Sequence, residues 1–561
     1  MLRRRLRLRL MALGTFDRSR SLQALADHTF DVLVVGGGVT GCGVALDAAS
    51  RGLRTALVEA HDFASGTSSK SSKMVHGGLR YLQSGDVRLV YEALRERQRL
   101  RRNAPHLVGL LPFLIPIFSK DGLINAKVAR ALGSAMWMYD LTGGARIGKL
   151  HQRLSRDEAV AHMSTLPAER LAGAYLYYDA EADDARLTLT LARTAALDFG
   201  AVVANHARVV QLRHDDRGRC TGAVVAADGH RIEVRAAVVV NAAGVWADEV
   251  RGLDEGAAPD TIRPAKGVHI TVPWEKVRND IAVVVPVPKD RRSVFVVPWL
   301  PKGDGTFELT YIGTTDTDYD GPLDDPACTP EDVAYLLGAI NGAVREPLSE
   351  ADVLGTWAGL RPLVKAATTG RTADLSRRHR VEVSDSGVVT ITGGKLTTYR
   401  EMAEDTMAAV VRRLEDLPRR ARRCRTRSLP LRGAGPLDPG IDEHLARRYG
   451  TEARVVQAMV EADPSLGKPL VEGLPYLRAE AVYAVRHEMA RTVDDVLSRR
   501  TRARLQARDA SAAAAADVAA LIAPELGWSS DEASDQARRY VEAVDAERAA
   551  AGLPPTPVPA R

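Results

Sequence analysis

The chain has 561 residues, 45% of them hydrophobic and 26% charged, a composition that excludes a disordered protein. Its formal net charge of +6 comes entirely from residues 1–20, so the rest of the chain is balanced and does not indicate nucleic-acid binding. The four cysteines are far apart without a Cys-x-x-Cys pair, which argues against zinc ribbons, iron–sulfur clusters and disulfide frameworks and indicates a reducing cytoplasm.

Residues 1–27 form a basic arm that we expect to be disordered. The arm alternates Leu and Arg and lacks the apolar run of a secretory signal. A longer apolar run, Leu107–Phe118, contains Pro112 and Pro116 and is too short to span a bilayer. We predict that this run is a loop, packed in the core in preference to a membrane interface.

Residues 30–59 predict a strand, a glycine-rich turn, a helix and a second strand. In the turn, Gly36 permits a tight bend, Gly38 lets a pyrophosphate approach the backbone, and Gly41 lets helix and strand pack closely. Glu59, at the end of the second strand, is placed to accept a hydrogen bond from a ribose 2′-hydroxyl. The unit therefore predicts a dinucleotide site.

Three further segments favour FAD over NAD. The loop 66–78 is rich in hydroxyl groups and glycine, and residues 241–244 and 392–398 each follow a predicted strand. A nucleotide domain drawn from such distant segments, with a β-rich insertion, looks like the glutathione-reductase-type FAD fold, whereas an NAD domain is usually contiguous. The additional predicted cofactor-binding residues are Ser68, Ser69, Ser72, Lys73, His76, Gly77, Gly78, Val209, Ala243, Gly244, Gly394, Lys395, Leu396 and Thr397.

The remaining pattern predicts an α/β protein with a glutathione-reductase-type FAD-binding domain, a β-rich substrate (cap) domain and an all-helical C-terminal domain. A helix at 122–139 is expected to bury Trp137, Met138 and Tyr139. The predicted boundaries are 1–27 for the arm, 28–110, 186–262 and 351–411 for the FAD-binding domain, 111–185 for an inserted helical segment of the substrate domain, 263–350 for its antiparallel sheet, 412–430 for an Arg-rich linker, 431–550 for the helical domain and 551–561 for a Pro-rich tail.

Cationic and hydrogen-bonding residues recur beside glycine or proline outside the nucleotide unit. Several arginines that converge on one cleft are the usual means of holding a phosphate or carboxylate, because the guanidinium group binds it through two hydrogen bonds. The residues in such positions are His76, Arg80, Tyr81, Lys266, His269, Arg361, Arg377 and Lys395.

These stretches resemble the FAD-dependent, quinone-linked glycerol-3-phosphate dehydrogenases. The resemblance covers residues 28–545 and leaves the basic arm outside. It is carried by 67–82 among other stretches and is most specific at 68–82 and 393–400. The other matching stretches are Gly36–Gly41, Asp183–Arg186, Lys266–His269, Ile312–Asp316, Gly359–Pro362 and Arg486–Arg502.

The resemblance implies FAD-dependent oxidation of sn-glycerol 3-phosphate to dihydroxyacetone phosphate. Arg80, Arg361 and Arg377 would bind the phosphate, Tyr81 would shape the pocket, and Lys395 would lie near the flavin and the substrate oxygens. The candidate general base is His269, since an imidazole suits this proton transfer; Lys395 or Arg361 could share its task. We interpret Asp316 as a turn or ion-pair residue.

The resemblance also implies electron transfer to a membrane quinone by an enzyme held peripherally at the cytoplasmic face of the membrane. The candidate contacts are the run 107–118, the segment 412–427 and the basic arm; a homodimer is a further expectation. Three alternatives remain open: a glycerol-3-phosphate oxidase that uses oxygen, an amine oxidase of the glycine-oxidase type, and a non-catalytic flavoprotein scaffold. An amine oxidase typically holds the carboxylate of its substrate with one arginine, so several cationic positions favour a phosphate as the ligand.

Overall fold

The computed structural model describes residues 16–78, 87–118, 126–141, 143, 147–287, 292–365 and 378–558. Its strands are β1 (Thr29–Val35), β2 (Thr55–Val58), β3 (Met74–Val75), β4 (Val108–Phe118), β5 (Gln152–Leu154), β6 (Leu171–Ala182), β7 (Val202–Ala204), β8 (Arg208–His214), β9 (Cys220–Ala227), β10 (His230–Asn241), β11 (Ile262–Pro273), β12 (Ala282–Pro286), β13 (Ser293–Pro301), β14 (Phe307–Gly313), β15 (Thr317–Asp318), β16 (Gly355–Val364), β17 (Arg380–Val383) and β18 (Val389–Thr392).

The α-helices alternate with these strands and then continue alone to the C-terminus. They are α1 (Arg18–Asp27), α2 (Val39–Ser50), α3 (Val87–Asn103), α4 (Ala126–Leu141), α5 (Arg156–His162), α6 (Asp184–Phe199), α7 (Ala247–Glu255), α8 (Pro330–Asn341), α9 (Tyr399–Val411), α10 (Glu443–Tyr449), α11 (Ala453–Ala462), α12 (Arg478–Glu488), α13 (Ala503–Gln506), α14 (Arg508–Ala513), α15 (Ala515–Leu526) and α16 (Ser530–Ala550). Among the described residues, no helix is both long and apolar enough to cross a bilayer.

The first sheet is parallel at its centre, in the strand order β18-β10-β1-β2-β7. Its central strands are nearly continuous apolar runs because helices α2, α6 and α9 pack against one another over one face. The hairpin β8–β9 continues from β10, and β17 closes the edge against β18. All five parallel strands direct their carboxyl ends to one edge, where the glycine-rich turn lies.

The second sheet has ten strands and is mostly antiparallel, in the order β15-β11-β14-β13-β12-β4-β6-β3, with β16 on β11 and β5 on β6. It includes the antiparallel region predicted within 263–350. The predicted boundary at 351 is wrong, because β16 pairs with β11 along ten residues, from Ile262–Val364 to Thr271–Gly355. The chain returns to the first sheet only at β17.

The apolar run 107–118 is a strand and not the predicted loop. β4 pairs with β6 along its length, and most of its side chains are buried, so the core interpretation is correct and the membrane contact is wrong. Its two prolines are tolerated in part because β12 pairs only with Phe113 and Leu114, leaving most of one edge of β4 outside a hydrogen-bonded ladder.

The predicted arm is also partly folded. Residues 1–15 lie outside the described residues, but Asp17 caps helix α1, and Leu25 is fully buried against the first sheet. Arg18 is buried because it donates hydrogen bonds to the carbonyl oxygens of Asn205 and His206. The prediction of disorder is therefore wrong from residue 16 onward. The charge of Arg18 suggested solvent exposure, but its guanidinium instead donates to buried carbonyl oxygens.

Helix α4 confirms the predicted helix but not its predicted core face. Tyr139 is 1% exposed, whereas Trp137 is 55% and Met138 is 42% exposed. Leu141, at the end of the helix, is 83% exposed. The three consecutive apolar residues 137–139 cannot all point to the core because successive helical side chains are rotated by about 100°.

The Arg-rich segment 412–430 runs over the surface between α9 and the helical region. It is anchored by Arg425, which donates to the Ser50 carbonyl, and by Arg427, which pairs with Glu404. Beyond it, helices α10–α16 build the helical C-terminal region around an apolar core of their own.

Candidate FAD and substrate site

The glycine-rich turn brings β1, α2 and the end of β10 into close contact. Gly36 has a φ of +111°, and a Cβ added to it would lie 2.6 Å from the Ala242 oxygen. A Cβ on Gly41 would lie 1.9 Å from the Gly36 oxygen. Only glycine fits at both positions, so the local sequence itself enforces the turn.

A cavity of about 440 Å³ lies at the carboxyl ends of the parallel strands, as expected for a doubly wound sheet. Of the predicted cofactor-binding residues, it is lined by Gly36, Gly38, Glu59, Ser68, Val209, Ala243, Gly244, Gly394, Lys395 and Leu396. Sequence reasoning missed further lining residues, among them Thr40, His61, Thr67, Arg208, Trp246 and Met402. Proximity to the predicted motifs was the available signal for Thr40, His61, Thr67 and Trp246, whereas Met402 reaches the cavity from inside α9.

The cavity fits the diphosphate and ribose of a dinucleotide. Gly38 caps helix α2, so the positive end of the helix dipole points to the cavity. The backbone N–H of Val39 donates to Ser68 Oγ over 2.9 Å, which ties the loop to the start of the helix. Glu59 accepts hydrogen bonds from the N–H groups of Gly37 (2.6 Å) and His61 (2.8 Å), and burial raises the pKa of its carboxyl group.

Several predicted cofactor residues do not line this cavity. Ser72 Oγ lies 2.8 Å from His269 Nε2, and the ammonium group of Lys73 lies 3.3 Å from Asp184 and 4.6 Å from the Trp357 ring centroid. The carbonyl of Ser69 accepts from Arg502. The loop turns away from the cavity because Asp184 also accepts hydrogen bonds from the backbone and side chain of Ser71. Burial and the charge of Arg502 lower the pKa of Lys73 to about 8, although Asp184 acts in the opposite direction.

Residues 76–78 and Thr397 also lie outside the cavity lining, and the backbone of His76 is bound to the Thr397 side chain. The N–H of His76 donates to Thr397 Oγ1 over 3.2 Å, and that hydroxyl lies 3.3 Å from the His76 carbonyl. Thr397 directly follows Lys395 and Leu396, which line the cavity. The segment at His76 is thereby joined to the wall of the cofactor site.

His269 is buried and does not line the cavity. Its ring stacks on Trp357, with centroids 4.7 Å apart and planes inclined by 6°. Nε2 faces the Ser72 hydroxyl, whereas Nδ1 has no hydrogen-bond partner among the described residues. Burial, with the nearby charges of Lys73 and Arg361, holds the pKa of His269 well below its ordinary value, so the imidazole is neutral at pH 7.

Arg361 is not among the residues that line the cavity, although it directly precedes the lining residue Pro362 in β16. Its guanidinium donates to Asp316 Oδ1 over 3.1 Å, and it leans over Gly267, where an added Cβ would lie 2.6 Å from Nη2. The interpretation of Asp316 as an ion-pair residue is thus confirmed. Lys266 points elsewhere and pairs with Asp332.

Three predicted substrate residues, Arg80, Tyr81 and Arg377, lie outside the described residues. Of the predicted substrate-binding residues the structure describes only Arg361 and Lys395, and of these two Lys395 lines the cavity.

Comparison with known proteins identifies the family of this chain. A sequence model described as FAD dependent oxidoreductase matches residues 31–400, and one described as the C-terminal domain of alpha-glycerophosphate oxidase matches residues 391–533. Glycerol-3-phosphate dehydrogenase 2 of Mycobacterium tuberculosis (strain ATCC 25618 / H37Rv) is 41% identical over 554 residues, covering 96% of this chain and 92% of that protein. The chain belongs to the glycerol-3-phosphate dehydrogenase family of FAD-dependent oxidoreductases.

Relatives of this family extend to eukaryotes. The mitochondrial glycerol-3-phosphate dehydrogenase of Rattus norvegicus is 38% identical over 548 residues, covering 91% of this chain and 73% of that protein. The X-ray structure of the glycerol-3-phosphate dehydrogenase from Bacillus halodurans complexed with FAD has a TM-score of 0.73 and 30% identity, and covers 98% of this chain and 100% of that one. FAD is therefore the cofactor of this dehydrogenase-family chain, and the cavity at the carboxyl edge is the candidate site for it.

Proposed function

We propose that this protein oxidises sn-glycerol 3-phosphate to dihydroxyacetone phosphate and passes the electrons to a membrane quinone. The observation that carries the proposal is the 41% identity with a glycerol-3-phosphate dehydrogenase over 96% of the chain. The cationic group of Lys395, which lines the cavity, and that of Arg361, which directly precedes the lining residue Pro362, support a phosphate ester as the substrate.

The phosphate site is assigned to Arg361, Lys395, Arg80 and Arg377, with Tyr81 shaping the pocket. Asp316 holds one edge of the Arg361 guanidinium and so fixes its direction, while the side chain keeps 24% of its surface exposed for a ligand. A guanidinium oriented before binding loses less entropy when it grips an anion.

When bound, FAD would supply the hydride acceptor for the hydrogen on C2 of the substrate. The protein must then accept the proton of the C2 hydroxyl and stabilise the developing negative charge. We assign the first task to His269, which is neutral and faces the Ser72 hydroxyl, and the second to Arg361 and Lys395.

Oxygen is the second candidate acceptor. It is favoured by the match of residues 391–533 to the C-terminal domain of alpha-glycerophosphate oxidase. The two acceptors are distinguished by comparing peroxide formation with the reduction of a quinone analogue.

The experiment that tests the proposed function is steady-state reduction of a quinone analogue by the FAD-loaded protein. We expect turnover with sn-glycerol 3-phosphate and little with its enantiomer or with glycerol, because the phosphate and the C2 configuration both position the hydride. Equal rates with all three, or no turnover with sn-glycerol 3-phosphate by the FAD-loaded protein, would contradict it.

Four apolar side chains at and after the end of α4 are exposed, and we call them the α4 patch: Trp137, Met138, Leu141 and Leu150. We propose that this patch contacts the lipid from which a membrane quinone would be reached. The imidazole of His151 packs on Trp137 at 4.9 Å and so joins the two chain segments, with exposed Lys149 between them. Exposed Trp and Leu side chains with neighbouring cations are typical of interfacial membrane binding. We therefore assign peripheral attachment at the inner face of the plasma membrane to this patch in place of β4.

Cosedimentation with anionic phospholipid vesicles tests the assignment. Leu141→Ser should release the protein from vesicles, whereas Leu437→Ser, which alters a leucine that is 46% exposed and lies before α10, should not. Equal vesicle binding by the two variants would remove the α4 patch from the membrane contact. A homodimer remains a prediction.

A further inference from the structure

A buried polar cluster holds the backbone of Gly77 outside the cofactor cavity. The Gly77 N–H lies 3.2 Å from the Tyr139 hydroxyl and 3.2 Å from Asp179 Oδ1. The same hydroxyl lies 2.7 Å from Asp179 Oδ2, and Arg97 donates to Oδ1 of this carboxylate. Tyr139, Asp179 and Arg97 are each at most 1% exposed, so the cluster belongs to the interior.

The chain approaches this cluster more closely than any side chain at position 77 would permit. A Cβ on Gly77 would lie 2.5 Å from Leu94 Cδ2 and 2.6 Å from the Tyr139 hydroxyl oxygen. This close contact is therefore possible because glycine has no side chain. The position of the Gly77 peptide is set by helices α3 and α4 together with strand β6.

The segment so held borders the FAD site. His76, next to Gly77, exchanges hydrogen bonds with Thr397, and Thr397 follows the cavity-lining residues Lys395 and Leu396. The segment 76–78 is thus fixed on one side by the buried cluster and on the other by the wall of the cavity. A movement of Gly77 moves His76 relative to Lys395.

The polar side chains of this cluster are better suited to orienting the Gly77 peptide than to filling space in the core. A phenylalanine at position 139 would fill nearly the same volume, yet this chain has a tyrosine hydroxyl and a buried carboxylate there, and both need hydrogen-bond partners. Buried hydrogen-bond networks favour one geometry because a displaced member leaves its partner without a hydrogen bond in a low-dielectric interior.

We propose that Tyr139 and Asp179 are positioning residues for the segment 76–78, setting its place beside the FAD and so the affinity for substrate. The inference rests on the proposed function for its kinetic readout. The two residues touch neither cofactor nor substrate in this scheme; they act through the Gly77 peptide.

The test is Tyr139→Phe in the FAD-loaded protein, with Tyr177→Phe as the matched control. Tyr177 is 5% exposed and meets Tyr139 edge to face with ring centroids 6.0 Å apart, but no hydrogen bond joins it to Gly77 among the described residues. We expect Tyr139→Phe to lower kcat/KM by about tenfold, mainly through KM, because binding geometry and not the reactive groups has changed. The control should stay within about twofold.

Hydrogen exchange followed by mass spectrometry supplies a readout that does not depend on activity. Exchange in the peptide spanning residues 74–78 should be faster in Tyr139→Phe than in Tyr177→Phe. Gly77→Ala, which forces the backbone from Leu94, should reproduce both the KM increase and the faster exchange even if Tyr139→Phe folds poorly.

Equal KM values and equal exchange in the two tyrosine variants would overturn the inference. If the unmodified protein oxidises no sn-glycerol 3-phosphate, the proposed function fails, and the exchange comparison alone decides whether the cluster positions the segment.

Discussion

Arg361 shows how single charges acquire a role from their surroundings in this protein. Its side chain is only partly exposed, is directed by Asp316 and lies over a glycine that leaves space for it. Lys73, by contrast, is also cationic and close in sequence to the cofactor loop, but it is buried on Trp357 beside Asp184. We therefore propose that the Arg361 guanidinium receives a ligand anion, whereas the Lys73 ammonium group pairs with Asp184 in the interior.

Replacing Arg361 by Ala should lower kcat/KM for sn-glycerol 3-phosphate by a factor that corresponds to about 2–4 kcal/mol of transition-state free energy, because the substrate phosphate would lose a directed, charge-assisted contact. Arg263→Ala is the control. Arg263 lies in the paired strand β11 and is likewise bound to an aspartate, Asp318, but outside the FAD cavity. Steady-state kinetics of both variants decide the matter, and a loss no greater than that of the control would exclude Arg361 from the phosphate site.

The pH dependence of turnover tests His269. A base acts while it is deprotonated, and a pKa held below the ordinary value keeps His269 deprotonated as the pH falls. We expect kcat/KM to hold between pH 7.5 and about pH 6 and to decline only in more acidic buffers. A decline centred near pH 6.5, or a flavin reduction rate in stopped flow that is intact in His269→Ala, would contradict its assignment as the base.

At the scale of elements, α1 is a structural part of the first sheet and not a tail. Leu25 is fully buried among residues of β1, β9 and β10, whereas Leu22, one turn earlier, is only partly buried. The helix covers the face of the sheet opposite α2. The burial of apolar side chains in α1 offsets the conformational entropy lost in ordering this helix, whose arginines would otherwise favour solvent.

Leu25→Ala should lower the free energy of unfolding by about 2–4 kcal/mol, through lost burial and the cavity left behind. Leu22→Ala should cost about 1 kcal/mol, because less apolar surface is removed from contact. Urea unfolding followed by circular dichroism compares them. Equal, small effects would mean that α1 is not docked in solution.

At the scale of the whole molecule, the helical C-terminal region is joined to the flavin-binding region by buried ion pairs. Glu488, at the end of α12, pairs with Arg186 of α6, and Arg193 and Arg500 approach the same carboxylate to 3.9 Å. Arg500 also binds Asp62 beyond β2. The two regions are therefore expected to unfold together.

Glu488→Gln keeps the side-chain shape but removes the charge that faces three arginines. It should lower the free energy of unfolding by about 3 kcal/mol, since breaking a buried pair leaves uncompensated charge. Glu525→Gln, which removes the partly exposed pair with Arg486, should cost less than about 1 kcal/mol. Flavin fluorescence and circular dichroism during urea unfolding report both values, and similar midpoints would contradict the expected asymmetry.

Local sequence determined the nucleotide turn, because Gly36, Gly38, Gly41 and Glu59 act within one short β-turn-α-β unit whose geometry they enforce themselves. The helical C-terminal region and the antiparallel sheet were likewise readable from periodicity. The family resemblance added the substrate class, which no local pattern contains.

Only the tertiary structure decided which side chains face the FAD cavity. Ser72 and Lys73 were predicted to line it, but Asp184, more than a hundred residues later, turns their loop toward β11 and β16. The same holds for β4 and β16, whose partners β6 and β11 are remote in sequence. The direction of a side chain in a loop and the partner of a strand depend on distant groups that satisfy buried charges and hydrogen bonds, and a local pattern does not specify them.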